Sequence, residues 1–107
     1  MAEITSEKLQ KLMAMLQREP NDSFLLYGIG MEYKKLGDRD KALEFFARLI
    51  QADPGYCYAY YQQAQTYEQL GNVDQAKQSY REGIAAARRV GDAHAQSELE
   101  AALEMLS

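Results

Sequence analysis

Apolar residues recur along this chain at the three- and four-residue spacing that places them on one face of an α-helix. The first such stretch predicts a helix over about 6–18, whose apolar face carries Leu9, Leu12, Met13 and Leu16. The last predicts a helix after Asp92 that carries Ala95, Leu99, Ala102, Leu103 and Leu106. Four more helices are predicted between them, over about 23–36, 39–52, 58–70 and from Asn72 to Arg89. The chain is therefore predicted to be all-α.

Residues that favour helix ends separate these segments. The second helix is predicted to end at Gly37, the residue favoured at a left-handed helix terminus, and later helices end at Gly71 and Gly91. Pro20 and Pro54 mark two further breaks, because proline does not continue a helix. The predicted N-caps are Thr5 or Ser6 for the first helix, Asn72 (with Gln75 three residues on) for the fifth and Asp92 for the sixth.

The pattern repeats itself after 34 residues. Seven residues of one stretch, Tyr33, Leu36, Gly37, Asp40, Ala42, Phe46 and Ile50, recur as Tyr67, Leu70, Gly71, Asp74, Ala76, Tyr80 and Ile84. A fixed period of this size indicates a stack of similar helical hairpins rather than a catalytic domain with a unique cleft. Each hairpin leaves an apolar face that its neighbour must cover.

The period and the residue types resemble those of the tetratricopeptide repeat, a unit of two helices joined by a turn. The motif positions hold Leu26, Ile29, Gly30, Tyr33, Ala42, Phe46 and Pro54 in the first unit, and Tyr60, Gln63, Ala64, Tyr67, Ala76 and Tyr80 in the second. Two positions depart from the pattern. Arg88 replaces the closing proline of the second unit, so the helix is predicted to run on by a turn. Gln63 replaces an apolar residue and is expected to loosen the contact between helices.

The resemblance implies one domain over residues 1–107, folded as a right-handed superhelical stack of antiparallel helical hairpins. Pro20 precedes Pro54 by 34 residues, and the apolar residues of the first helix keep the same phase. The first helix therefore corresponds to the second helix of a unit whose first helix is absent. The predicted order is a half-repeat helix (6–20), two whole repeats (23–56 and 57–90) and a capping helix (92–106).

Composition narrows the classes of function. The net charge of −4 disfavours nucleic acid, whose phosphates require a basic surface. The chain contains no run of about eighteen apolar residues that would predict a membrane span. Its first seven residues lack the basic and apolar regions of a secretory signal. With a single cysteine, Cys57, no internal disulfide is expected. These features predict a cytoplasmic protein that binds neither nucleic acid nor membrane.

No set of residues in the sequence indicates catalysis. Cys57 has no base or cation beside it in sequence, and His94 is too isolated for a catalytic triad or a metal site. Gly28 and Gly30 lie within a predicted helix, without the preceding strand that a phosphate-binding loop requires. We therefore expect no cofactor, no metal and no enzymatic activity.

The resemblance implies a binding surface instead. In the proteins that the chain resembles, the first helix of each unit lines a concave surface that holds extended peptides or partner helices. Carried onto this sequence, that surface, here called the groove, comprises Phe24, Tyr27, Met31, Lys34, Tyr58, Tyr61, Gln62 and Gln65, with Glu68 beyond them. Tyrosine and methionine suit adaptable recognition. The alternative is that the end helices fold over these rings and bury them as core.

Some relatives of this family hold the terminal carboxylate of a peptide with lysine, arginine and asparagine. The corresponding positions here are Tyr27, Met31 and Gln62, so this clamp is not expected. The predicted function is a non-catalytic interaction module that binds a protein or peptide in the groove. The alternative is a self-assembling structural protein that pairs with further copies through an exposed repeat face.

Overall fold

The computed structural model describes residues 5–106, and within that range it contains six α-helices and no strand. The helices are α1 (Glu7–Arg18), α2 (Ser23–Lys35), α3 (Arg39–Ala52), α4 (Cys57–Gln69), α5 (Val73–Val90) and α6 (Ala93–Glu104). The prediction of an all-α chain is confirmed, and every helix end lies within two residues of its predicted place. Of the residues on which the absence of a secretory signal was predicted, 1–4 lie outside the described part of the chain.

Side chains just before the helices cap most of the helix starts. In α1, α2, α3, α5 and α6 the capping oxygen accepts a hydrogen bond from the backbone N–H three residues further on, an arrangement that satisfies one of the free donors of the first turn. These capping residues are Ser6, Asp22, Asp38, Asn72 and Asp92. Helix α4 follows Tyr56 without a side-chain cap. The glycines after α2, α4 and α5 have the predicted left-handed conformation, with φ of 87°, 78° and 75° at Gly37, Gly71 and Gly91.

The helices form a stack of two hairpins with an extra helix at each end. The most extensive contacts join α2 to α3 and α4 to α5, and α3 packs on α4 to connect the two hairpins. Helix α1 packs on α2, and α6 packs on α5. The first helices of the two hairpins, α2 and α4, also touch directly, and α4 contacts the end helix α6. The described chain measures 39 × 29 × 18 Å.

The core consists of two apolar clusters. The first lies mainly between α1, α2 and α3 and contains Leu9, Leu16, Leu25, Leu26, Ile29, Phe45, Leu49 and Ala59. The second lies between α4, α5 and α6 and contains Cys57, Ala64, Tyr80, Ile84, Ala87, Ala95 and Leu99. Phe46 and Tyr80, which are equivalent in the two units, are both fully buried. Each unit is thus held by a large ring at the same repeat position.

The two departures from the repeat pattern have visible consequences. Helix α5 has 18 residues where α3 has 14, as the replacement of proline by Arg88 predicts. Gln63 contacts the second helix of its unit through a hydrogen bond, because its Oε1 accepts from the Ser79 hydroxyl at 3.0 Å. A polar pair therefore takes the place of the apolar contact.

Candidate partner-binding groove

The eight predicted groove residues lie on the first helices of the two hairpins. Helix α2 carries Phe24, Tyr27, Met31 and Lys34, and helix α4 carries Tyr58, Tyr61, Gln62 and Gln65. Seven of them are partly exposed, and Phe24 is 75% exposed. The described structure thus leaves none of these side chains fully buried. Because α2 and α4 touch, the two sets can form one surface.

Lys34 joins the α2 part of the groove to the α4 part. Its ammonium donates hydrogen bonds to Oε1 of Gln62 at 2.7 Å and to Oε1 of Gln65 at 3.1 Å. Partial burial lowers the pKa of Lys34, because the charged form loses some of its hydration. The structure therefore brings three predicted residues together around one cation.

Tyr27 lies at the centre of an aromatic cluster between the two hairpins. Its ring centroid is 5.3 Å from that of Tyr56 and 6.3 Å from that of Phe46, distances typical of favourable ring contacts. Burial raises the pKa of Tyr27, and a hydrogen bond with the Gln62 side chain opposes that shift. Gln62 consequently contacts both Tyr27 and Lys34, so these two residues of α2 share a partner on α4.

Tyr58 and Tyr61 form a second aromatic pair on α4. Their centroids are 6.4 Å apart, and the Tyr61 ring meets the buried Tyr80 ring edge-on at 5.9 Å. The Tyr58 hydroxyl donates a hydrogen bond to Oε1 of Glu98 on α6 at 2.8 Å. This bond to a carboxylate raises the pKa of Tyr58 to about 12. Helix α6 therefore touches the groove at Tyr58 but leaves both rings partly exposed, an outcome between the open and the covered alternatives.

Phe24 and Met31 are not joined to the other groove residues by ring contacts or side-chain hydrogen bonds. Phe24 lies instead at a hollow between the end of α1 and the start of α2, which is also lined by Met15, Arg18 and Leu25. Met31 is partly buried on α2 between Tyr27 and Lys34 in sequence. The structure thus gathers six of the eight predicted residues into two contact groups, around Lys34 and around Tyr61.

Two residues of the site were missed by the sequence reasoning. Tyr56 contacts Tyr27 from the loop before α4, and Glu98 reaches Tyr58 from α6. The sequence held a weak signal for Tyr56, since it belongs to the group of five tyrosines within residues 56–67. It held none for Glu98, because that contact depends on how α6 docks.

Two groups with possible chemical reactivity lie near the site. Cys57 is buried, its thiol donates to the backbone oxygen of Gly55 at 3.4 Å, and burial raises the pKa of the thiol, so the reactive thiolate is disfavoured. His94 Nε2 lies 2.6 Å from the same Oε1 of Glu98 that accepts from Tyr58, at an exposed helix start. Within residues 5–106 no cluster of His, Cys, Asp and Glu could hold a metal ion.

Family models described as tetratricopeptide repeat match residues 23–56 and 58–89, the two hairpins that carry the groove. The chain belongs to the tetratricopeptide repeat family. Repeats of this family bind protein partners, so protein–protein interaction is the general role that membership supports. None of the helices in the described part has the length and apolar character needed to cross a membrane.

Solved structures of similar proteins agree with this assignment. A tetratricopeptide repeat domain protein from Salinibacter ruber is 34% identical, with a TM-score of 0.78 over 82% of this chain and 89% of that one. A protein from Bordetella parapertussis is 27% identical, with a TM-score of 0.80 over 95% of this chain and 89% of that one. No curated protein matches the chain.

The fold also matches PcrH, a protein of Pseudomonas aeruginosa. In a complex with the chaperone binding region of PopD, PcrH superimposes with a TM-score of 0.84 over 92% of this chain and 74% of that one. Sequence identity is 20%, so this likeness concerns the fold alone.

Proposed function

We propose that this chain is a non-catalytic, cytoplasmic interaction module that binds an extended peptide or a helix of another protein in the groove. The observation that carries the proposal is the direct connection between α2 and α4. Lys34 bonds to Gln62 and Gln65 across the two helices, and all three side chains stay partly exposed. A ligand lying across these helices would meet polar donors and aromatic rings in one continuous surface.

The aromatic residues supply the contact area for such a ligand. Tyr27 and Tyr61 are both held by ring contacts and remain partly exposed, so a ligand can contact their exposed parts at little cost in conformational entropy. Met31 adds an adaptable apolar side chain on α2. The complex of PcrH with a segment of PopD provides a precedent of the same fold for binding part of another protein.

A second candidate function is head-to-tail self-assembly through the two ends of the stack. At the first end Met15 is 53% exposed beside Phe24, and at the second Met105 is 85% exposed. The end helices also differ in charge. Helix α1 carries Lys8, Lys11 and Arg18 against Glu7, whereas α6 carries Glu98, Glu100 and Glu104 and neither lysine nor arginine. Opposite charge favours contact between unlike ends of two copies.

One pair of variants separates the two functions. Met31→Glu places a charge in the groove, and Met15→Glu places the same charge at the first end of the stack. The probes are short peptides selected from a random display library on the immobilised wild-type chain. We expect the selected peptides to bind Met15→Glu as well as they bind the wild type, and to lose about tenfold or more in affinity for Met31→Glu.

Thermal melts of both variants serve as the folding control for this comparison. Selected peptides that bind both variants equally, or a library that yields no binder, would contradict the groove proposal. Sedimentation velocity over a wide range of concentrations, at low and high salt, tests the second candidate. Concentration-dependent association that Met15→Glu abolishes would favour assembly through the ends.

A further inference from the structure

We propose that the partner segment held in the groove carries an aspartate or glutamate side chain, and that the Lys34 ammonium is its binding site. This inference rests on the proposed function and names the chemistry of the ligand. It begins from the hydrogen bonds of Lys34, whose two described acceptors are the neutral amide oxygens of Gln62 and Gln65. An ammonium has three donors, so one remains for a ligand.

Lys34 differs from the lysine and arginine side chains that pair with carboxylates. Arg39 and Arg89 also bond to neutral oxygens, but those bonds are exposed, whereas the bonds of Lys34 are partly buried. Lys11, Lys41 and Arg88 each lie within 3.5 Å of a glutamate oxygen. Within residues 5–106 no carboxylate lies within ion-pair distance of Lys34. The groove therefore contains a positive charge that the described chain does not neutralise, although the protein as a whole has a net charge of −4.

The carboxylate at the equivalent position of the second unit is already engaged by another side chain. Glu68 stands 34 residues after Lys34, at the equivalent position of the second unit. Its Oε2 accepts a hydrogen bond from the Tyr80 hydroxyl on α5, so this carboxylate is held toward the second helix of its own unit. At this repeat position the first unit thus has the cation Lys34, and the second has the anion Glu68, which is already hydrogen-bonded to Tyr80.

Partial burial makes Lys34 a stronger anion site than an exposed lysine. Its ammonium has already lost part of its hydration, because it lies between α2 and α4 and bonds to two side chains there. A carboxylate that approaches it interacts through a medium of lower effective dielectric than bulk water. An exposed pair gains little, whereas a partly desolvated pair contributes to specificity as well as affinity.

The residue types at the clamp positions favour an internal acidic side chain over the terminal carboxylate of a peptide. The positions of the family's carboxylate clamp hold Tyr27, Met31 and Gln62, none of them a cation. A single ammonium with two amides matches a single side-chain carboxylate on a segment that continues in both directions. The aromatic groups around Tyr27 and Tyr61 would then contact apolar residues on either side of the acidic residue.

The test compares Lys34→Gln with Lys35→Gln, a matched control at the neighbouring exposed lysine. A random library of short peptides with amidated C-termini is selected on the wild type and on both variants. We expect the wild type and Lys35→Gln to enrich aspartate or glutamate at one position between apolar residues, and Lys34→Gln to lose that enrichment. Lys34→Arg, which keeps the charge, should retain it.

A double-mutant comparison measures the contact itself. Replacing the enriched acidic residue of a selected peptide by its amide should weaken binding to the wild type about tenfold and leave binding to Lys34→Gln nearly unchanged. Peptides that bind in a Met31-dependent way without acidic enrichment would overturn this inference and leave the groove function standing. Enrichment that appears only in a library with free C-termini would also overturn it, in favour of terminal carboxylate binding. A library that yields no binder would contradict both this inference and the proposed groove function.

Discussion

Two glycines on α2, two residues apart, have opposite structural roles. A Cβ built on Gly28 would lie 3.5 Å from Cδ1 of Leu12, an ordinary contact with α1. A Cβ built on Gly30 would lie 2.5 Å from Cε1 of Phe46, whose ring is fully buried. Gly30 is therefore required by the ring that fills the first unit, whereas Gly28 only costs helix stability.

Replacing Gly28 and Gly30 by alanine, one at a time, should therefore change the free energy of unfolding in opposite directions. We expect Gly28→Ala to raise the free energy of unfolding by roughly 1 kcal/mol, because alanine is the better helix former. Gly30→Ala should lower it by about 1–3 kcal/mol, because the buried ring must shift. Urea unfolding of both variants checks the pair. Equal effects of the two substitutions would mean that α2 and α3 do not approach in this way.

At the scale of the element, α1 is held by a residue with two functions. The Ser6 hydroxyl accepts from the backbone N–H of Leu9 at 3.0 Å and donates to Oε1 of Glu32 on α2 at 3.0 Å. Glu32 is only 6% exposed, so its carboxylate depends on this partner. One serine thus caps α1 and joins it to the first repeat.

Ser6→Ala should therefore cost more than the loss of a helix cap alone. We expect a decrease of about 2–4 kcal/mol in the free energy of unfolding, the sum of a lost cap and an unsatisfied buried acceptor. Thr5→Ala is the matched control, because Thr5 is exposed and should change stability by less than about 0.5 kcal/mol. Urea titrations of the two variants measure the difference, and similar effects would refute the dual role of Ser6.

The sequence could predict the elements because each is specified locally. The 34-residue period and the glycines set the helix ends, and Arg88 in place of proline foretold the longer α5. Contacts between elements were harder to predict. The repeat treats Tyr33 and Tyr67 as equivalent, and both are partly exposed. Tyr33 stacks on Phe45 at 5.7 Å, but the position equivalent to Phe45 is Ser79, which bonds to Gln63 instead.

The sequence could predict which helix carries each of the candidate groove residues, but it could not predict the contacts between their side chains. The phase of the repeat predicted that Tyr27 and Lys34 lie on the groove face of α2 and that Tyr58 lies on the groove face of α4, because equivalent positions recur at a fixed spacing. The bond between Tyr58 and Glu98 spans 40 residues and depends on the docking of α6, which lies beyond the repeat matches. Phe24 lies on the same helix as Tyr27 and Lys34, yet it lines the hollow between the end of α1 and the start of α2, beside Met15.

At the scale of the whole molecule, tyrosines connect the hairpins to each other and to α6. Burial raises the pKa of Tyr27, Tyr56, Tyr60 and Tyr80 above the ordinary value of 10.0, and the bond to Glu98 raises that of Tyr58 to about 12. All five are thus held in the neutral form in the folded chain. Ionisation of these hydroxyls would place charge inside the contacts that hold the stack together.

The folded chain should therefore lose stability in alkaline solution. A group whose pKa is higher in the folded state contributes stability that is complete below the unfolded pKa, about 10 for tyrosine, and is lost as the pH rises through the folded pKa. The lowered pKa of Lys34 acts in the opposite sense, but it is one group against five tyrosines and Cys57, whose pKa is also raised. We expect the urea midpoint to fall steadily between about pH 10 and pH 12.

Tyr80→Phe identifies the source of this loss. The Tyr80 hydroxyl donates to Glu68 within the second unit. The variant therefore removes one tyrosine whose pKa is raised, together with its hydrogen bond to a carboxylate. The variant should start from a lower midpoint at neutral pH and then decline less steeply, because one fewer proton is released on unfolding. Tyrosinate absorbance, followed in parallel, should rise together with unfolding in the wild type. A midpoint that stays constant to about pH 12 would mean that the tyrosines ionise freely in the folded chain and do not hold the hairpins together.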